Sequence, residues 1–227
     1  MSIVRQRVIP VRSSFVNSFI IQGQKAILVD TGTPGYEKRI LHRMEEKGVK
    51  KSDISLIIIT HGHYDHFGSA FILRENIGAP VAIHRADVES LKTGINPPLI
   101  SIGIKGRIMA GLTKLMKPPR VKGFDADILI EDEMDLSPYG VNGKIINTPG
   151  HTEGSVSVFM DGGCMLVGDL VCGGLLRAKA PGYPYFGYDR SIICQSVKKV
   201  LDYNPKIIYA GHGGPFTVED VRRRFMS

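Results

Sequence analysis

Residues 54–66 read Ile54-Ser55-Leu56-Ile57-Ile58-Ile59-Thr60-His61-Gly62-His63-Tyr64-Asp65-His66. The β-branched run that opens this stretch reads as a strand buried within a sheet. Directly beyond it, three imidazoles and a carboxylate fall within six positions, at the carboxyl end of a strand, where the ligand sites of α/β sheets gather. In an extended segment residues two apart share a side, so His61 and His63 can approach one point together. A following turn can aim Asp65 and His66 at a second point. A lone histidine is usually an exposed or core ring, but four metal-competent side chains in six residues point to metal binding.

Working outward, strands are expected at residues 3–11 (broken at Pro10), 14–22 and 25–30, the last two forming a hairpin around Gln22-Gly23-Gln24. The glycine-rich loop Asp30-Thr31-Gly32-Thr33-Pro34-Gly35 follows, then a helix over 36–47 that stops at Gly48. Downstream, a helix over 69–76 and a strand at 81–84 continue the alternation. Strand signals return at 128–130, 144–148, 155–160 and 164–167, with a turn at Asp161-Gly162-Gly163. A helix over 192–201 and a last strand at 206–209 complete the pattern. It indicates a layered α/β chain, with two sheets packed face to face and helices outside.

Residues 91–123 differ in character, with Pro97-Pro98, Pro118-Pro119, several lysines and an apolar stretch from Ile100 to Met116. They read as a helical insertion in a single domain spanning residues 1–227, serving as a lid or as the interface of a homodimer. Lys and Arg total 29 against 22 Asp and Glu, but these charges are scattered apart from Arg222-Arg223-Arg224, so nucleic acid is not the expected partner. No run approaches the ~18 apolar residues of a membrane span. Pro10, Arg12, Ser13, Ser14 and Asn17 interrupt any signal-peptide core. Cys164, Cys172 and Cys194 form no CxxC pair, which suggests reduced thiols. The expectation is a cytoplasmic chain with a small-molecule substrate and no membrane partner.

Three further donors obey one grammar: an apolar run, a small residue, then a metal-competent side chain. His151 lies in Thr148-Pro149-Gly150-His151-Thr152, Asp169 follows Met165-Leu166-Val167-Gly168, and His212 follows Ile207-Ile208-Tyr209-Ala210-Gly211. Seven donors exceed one tetrahedral site, which takes three protein ligands and a water, and fit two neighbouring divalent ions. His61, His63 and His151 are assigned to the first, Asp65, His66 and His212 to the second, with Asp169 bridging. Imidazole and carboxylate donors suit zinc, with iron and manganese as alternatives.

The set His-x-His-x-Asp-His at 61–66, with Gly150-His151-Thr152, Gly168-Asp169 and Gly211-His212-Gly213, resembles the metallo-β-lactamase superfamily of hydrolases. Asp30-Thr31-Gly32 is similar to that superfamily's early Asp-Thr-Gly loop, whose aspartate supports the metal loop rather than ligating. The resemblance implies a four-layer αββα sandwich with a dinuclear site at one edge. It also supports the assignment of the seven donors. Two cations about 3.5–4 Å apart lower the pKa of a shared water, and the hydroxide attacks an ester, thioester or lactone. Asp65 is the expected catalytic residue, orienting the nucleophile or carrying a proton to the leaving group.

Within the superfamily the chain resembles the glyoxalase II-like thioesterases. Only 15 residues follow His212, so the glutathione-gripping helical domain of that group is not expected. A mono-iron persulfide dioxygenase and a phosphodiesterase of the same superfamily are the alternatives. Tyr183, Tyr185 and Tyr188, in Gly182-Tyr183-Pro184-Tyr185-Phe186-Gly187-Tyr188, are candidate substrate contacts together with Arg177. Lys179 is a further candidate cation. Cys172, three residues past Asp169, reads as a buried small apolar residue.

Overall fold

The computed structural model describes residues 6–13, 15–113, 115, 117–174 and 177–226, including the backbone but not the side chain of Arg177. Six strands make the first sheet in chain order: β1 (Arg7–Arg12), β2 (Asn17–Gln22), β3 (Ala26–Val29), β4 (Ile54–Ile59), β5 (Val81–His84) and β6 (Ile128–Ile130). The first three pair antiparallel through tight connections. From β3 to β6 the pairing is parallel, so helical crossovers separate the strands and both faces need cover. The second sheet has the order β13-β10-β9-β8-β7, built from β7 (Glu133–Asp135), β8 (Gly143–Asn147), β9 (Val156–Met160), β10 (Cys164–Leu166) and β13 (Ile207–Tyr209). A separate hairpin joins β11 (Cys172–Gly174) and β12 (Arg177–Gly182).

The alternation of each strand sorts its residues between two cores. On β4, Leu56 and Ile58 face the second sheet, where Ile145, Val156, Val158 and Leu166 meet them. Ile57 and Ile59 face the opposite way, against Ile40 and Met44 of α1 (Glu37–Glu46) and Leu73 of α3 (Ala70–Ile77). Apart from the half-buried Ser55 near its start, the run is apolar because both of its faces are buried. On the far side, Ile146, Met165 and Ile208 pack under α6 (Arg190–Asp202) and α7 (Val218–Phe225). Helix, sheet, sheet and helix therefore stack in four layers, as expected. Each fully buried Ile or Leu in these cores contributes roughly 1.5–3 kcal/mol relative to exposure.

Several expected elements differ. Pro10 does not break the first strand: β1 runs through it, pairing Pro10 with Phe19. An edge strand carries donors that no neighbour needs, so a missing N–H there is tolerated. Residues 3–5 of the first expected strand, and Ser14 at the start of the second, lie outside the described residues. Helix α7 goes beyond the expected elements. It is capped where the Thr217 side chain accepts a hydrogen bond from the Asp220 backbone N–H. Among its described residues the region 91–123 holds the end of α4 (Val88–Thr93) and the helix α5 (Gly103–Thr113), and is otherwise irregular. No helix among the described residues is long and apolar enough to cross a membrane.

Candidate metal centre

The strand ends of both sheets point the seven donors at one place. His61 and Gly62 bend away from the end of β4, the His63 backbone N–H bonding the His61 carbonyl at 3.0 Å, His63 is extended, and α2 (Tyr64–Phe67) supplies the turn that redirects Asp65 and His66. Three groups of donor atoms result, each within 4.8 Å: His61, His63 and His151; His61, His66 and Asp169; and Asp65, His66 and His212. His151 Nε2 lies 3.2 Å from His61 Nε2 and 2.9 Å from His63 Nδ1. Asp169 stands between the groups, its carboxylate 3.4 Å from His66 Nε2, 3.8 Å from His151 Nε2 and 3.1 Å from His212 Nε2. His212 Nε2 is also 3.3 Å from Asp65.

Neighbouring residues orient each ring. His66 Nδ1 meets Asp30 Oδ2 at 2.8 Å, while the other Asp30 oxygen accepts from the Thr60 backbone N–H at 2.8 Å. Asp30 thus takes the supporting place expected of it. It does so in left-handed backbone, φ 58°, which Asp tolerates better than bulky residues. His151 Nδ1 donates to the Phe186 carbonyl at 2.7 Å, and His212 Nδ1 bonds the Phe15 carbonyl. Such partners fix the ring that faces a metal.

Burial and charge divide the histidines. Burial, then the neighbouring His66 and His151 rings, push His61 well below the ordinary imidazole value. Burial and His151 take His63 down to about 3, and burial lowers His151. These three rings are neutral and offer lone pairs. Burial acts the same way on His66, but Asp169 and Asp30 outweigh it and hold the ring at about 10. For His212, Asp169 and Asp65 overcome burial and raise the ring well above its ordinary range. Burial would lift Asp169, yet His212 and His66 hold it well below the usual carboxylate range.

A divalent cation fits this set. His66 Nε2 and Asp169 Oδ1 are buried with no hydrogen-bond partner, facing into the cluster. Their mutual contact at 3.4 Å leaves both buried atoms poorly satisfied, and a cation would satisfy both. Gly211 lets the two approach: a Cβ there would lie 2.5 Å from His66 Cε1 and closer still to Asp169 Oδ1.

Three supports have little signal in the sequence. Asp87 accepts from the Gly62 backbone N–H at 2.7 Å, Thr152 Oγ1 at 2.6 Å and the Gly154 backbone N–H at 3.0 Å, tying the 61–66 loop to the 150–154 loop. Asn17 Nδ2 donates to the carbonyls of Ala210 and Gly213 beside His212. The third is the Phe186 carbonyl.

A cavity of about 460 Å³ adjoins the cluster at Cys172, whose thiol bonds the Asp169 carbonyl. Tyr183 and Tyr185 line it with Lys105, Arg190 and Arg224, and none of its lining residues is an Asp or Glu. The Tyr183 ring lies under Arg190 at 4.1 Å and its hydroxyl meets Cys194 Sγ at 3.0 Å. Tyr188 is half-buried elsewhere, its backbone N–H on the Gly150 carbonyl. The Arg177 side chain lies outside the described residues, and Lys179 is exposed on β12. Cys172 is buried, as expected of a small apolar residue.

A family model, the metallo-beta-lactamase superfamily, matches residues 11–212, which takes in the whole donor set. The chain belongs to the metallo-beta-lactamase superfamily. Among its relatives, a protein of Methanocaldococcus jannaschii described as a probable metallo-hydrolase is 35% identical over 156 residues. That match covers 68% of this chain and 66%, just under two thirds, of the relative. A probable metallo-hydrolase of Bacillus subtilis is 28% identical over 207 residues, covering 86% of this chain and 78% of its own. Among solved structures, the BLEG-1 B3 metallo-beta-lactamase superposes with a TM-score of 0.73 at 21% identity, covering 97% of this chain and 98% of that one. A protein solved in a di-iron-bound form gives 0.68 at 22%, covering 96% and 98%. These likenesses show that the superfamily member shares the fold.

Proposed function

We propose that this superfamily member is a dinuclear metal-dependent hydrolase acting on an ester, thioester or lactone of a small molecule. His61, His63 and His151 would hold one divalent ion and Asp65, His66 and His212 the other, with Asp169 shared. The observation that carries this reading is the position of Asp169 between two donor triads, 3.8 Å from His151 on one side and 3.1 Å from His212 on the other. When bound, two such ions lower the pKa of a water between them and polarise the carbonyl under attack.

The chain's own residues do the remaining work. Asp65 and His212 keep 29% and 28% of their side chains exposed, whereas His66 is sealed, so substrate reaches the centre from the Asp65 side. Asp65 orients the nucleophile and passes a proton to the leaving group, while His212 holds its carboxylate. The cavity beside Cys172 receives the acyl portion, with Tyr183 and Tyr185 along its wall. Its three cations favour a substituent carrying negative charge. Tyr188 and Arg177 stay proposed as substrate contacts, outside the lining of this cavity as described. The donor set, without thiolate, suits zinc, and the same set accepts iron or manganese. All three cysteines are free, which fits a cytoplasmic compartment.

The test is elemental analysis followed by a screen of thioesters, lactones and phosphodiesters on zinc-, manganese- and iron-loaded protein. Two ions per chain with acyl hydrolysis is the expected result. One iron per chain with oxygen uptake overturns it in favour of a persulfide-type dioxygenase, and turnover of phosphodiesters alone makes the protein a phosphodiesterase. Asp65→Ala should lower turnover far more than substrate binding.

A further inference from the structure

Helix α5 turns its apolar residues the wrong way for a helix packed on a protein. At about 100° per residue, Ile104, Ile108 and Leu112 fall within about 80° of one another on one face. That face is outward: the three side chains are 77%, 61% and 53% exposed, and Leu115 just beyond them is 85% exposed. The body is met by the opposite side, where Gly106 is buried and its missing Cβ leaves room for the Tyr185 carbonyl. Among the described residues eleven large hydrophobic side chains are exposed, and seven of them lie between Ile95 and Leu115. Such concentration marks an interaction surface rather than scattered surface apolarity.

Charge says what kind. From Gly94 to Phe124 the chain carries Lys105, Arg107, Lys114, Lys117, Arg120 and Lys122 and no Asp or Glu. The rest of the chain is within one charge of neutrality, since the whole is +7. On α5 the apolar stripe is flanked by Lys105 on one side and Arg107 on the other. A second copy of this chain would set two such basic faces against each other, which opposes self-association through α5. Exposed isoleucine and leucine side chains interspersed with cations and free of carboxylates instead suit the interface of an anionic bilayer. Neutral acyl chains take the stripe and anionic headgroups take the cations.

We propose that α5 and its flanking turns form a docking surface for an anionic lipid bilayer, on which the protein rests without spanning it. The expectation of no membrane partner came from the length of apolar runs, which tests spanning and not surface attachment. The proposal does not depend on which bond the metal centre cleaves.

Sedimentation of the metal-loaded full chain with vesicles tests it. Binding is expected to vesicles of mixed phosphatidylglycerol and phosphatidylcholine, to weaken as salt rises from about 0.05 to 0.5 M, and to be absent with phosphatidylcholine alone. Ile108→Asp with Leu112→Asp should reduce the bound fraction by roughly tenfold or more. Lys117→Glu with Arg120→Glu should abolish the preference for the anionic lipid, with metal content and melting temperature unchanged in both variants. No binding to anionic vesicles at low salt overturns the proposal, as does full binding by the Ile108, Leu112 variant. A stable dimer that the same variant disperses also overturns it, because a second copy then covers the face.

Discussion

His61 and His66 stand five residues apart and their surroundings push them in opposite directions. Without cations, His61, His63 and His151 are lowered, so the unfolded chain takes up protons below about 6.5 that the folded site refuses. Stability contributed by these rings falls as pH drops below that point. His66 and His212 are raised, so their contribution is complete below 6.5 and is lost as pH climbs, for His66 towards about 10. The chelated protein is therefore expected to be most stable near pH 6.5 and to weaken on both sides, as urea unfolding across pH would show. Cation loading replaces the two protons, so uptake near neutral pH should release protons in calorimetry repeated in buffers of different ionisation enthalpy. Asp87 makes a separate residue-scale prediction. Its carboxylate satisfies three buried donors from two loops, so Asp87→Ala should cost about 3 kcal/mol and reduce metal content. Wild-type stability and full occupancy in that variant would remove its assigned part.

At the scale of elements, His151, Asp169 and His212 follow the ends of β8, β10 and β13, and the glycine before each lets the backbone approach closely. Gly211 shows this most directly. Gly211→Ala would force a methyl group against His66 and Asp169 while leaving the cores under α6 and α7 intact. The expected outcome is a folded protein with less bound metal and little turnover, read by circular dichroism and elemental analysis. The strand β4 was legible because an apolar run buried on both faces leaves only one arrangement. The path of β1 through Pro10 was not, since whether a strand lies at an edge is a property of its neighbours. Helix α5 was legible as an apolar segment, but the side it presents to the body is fixed by Gly106 against the Tyr185 carbonyl.

Across the whole molecule, two sheets bring together side chains as distant in sequence as Asp65 and His212, and bound ions would act as a staple between them. Metal held by the folded chain and not by the unfolded one adds stability by mass action, about 2.7 kcal/mol at a hundredfold excess over Kd. Chelation should therefore lower the melting temperature, and added zinc should restore it. No change on chelation would mean that the cluster holds no ion in the folded protein. The seven candidate donors, their order and the layered α/β plan could be read from the chain alone, because strand periodicity, the 61–66 cluster and the glycines before His151, Asp169 and His212 are local features. Only the tertiary structure placed Asp87, Asn17 and the Phe186 carbonyl around the rings, turned the α5 stripe outward and left the cavity at Cys172. Those depend on which surfaces meet across the fold, and no local pattern records contacts made between residues from 25 to 196 positions apart.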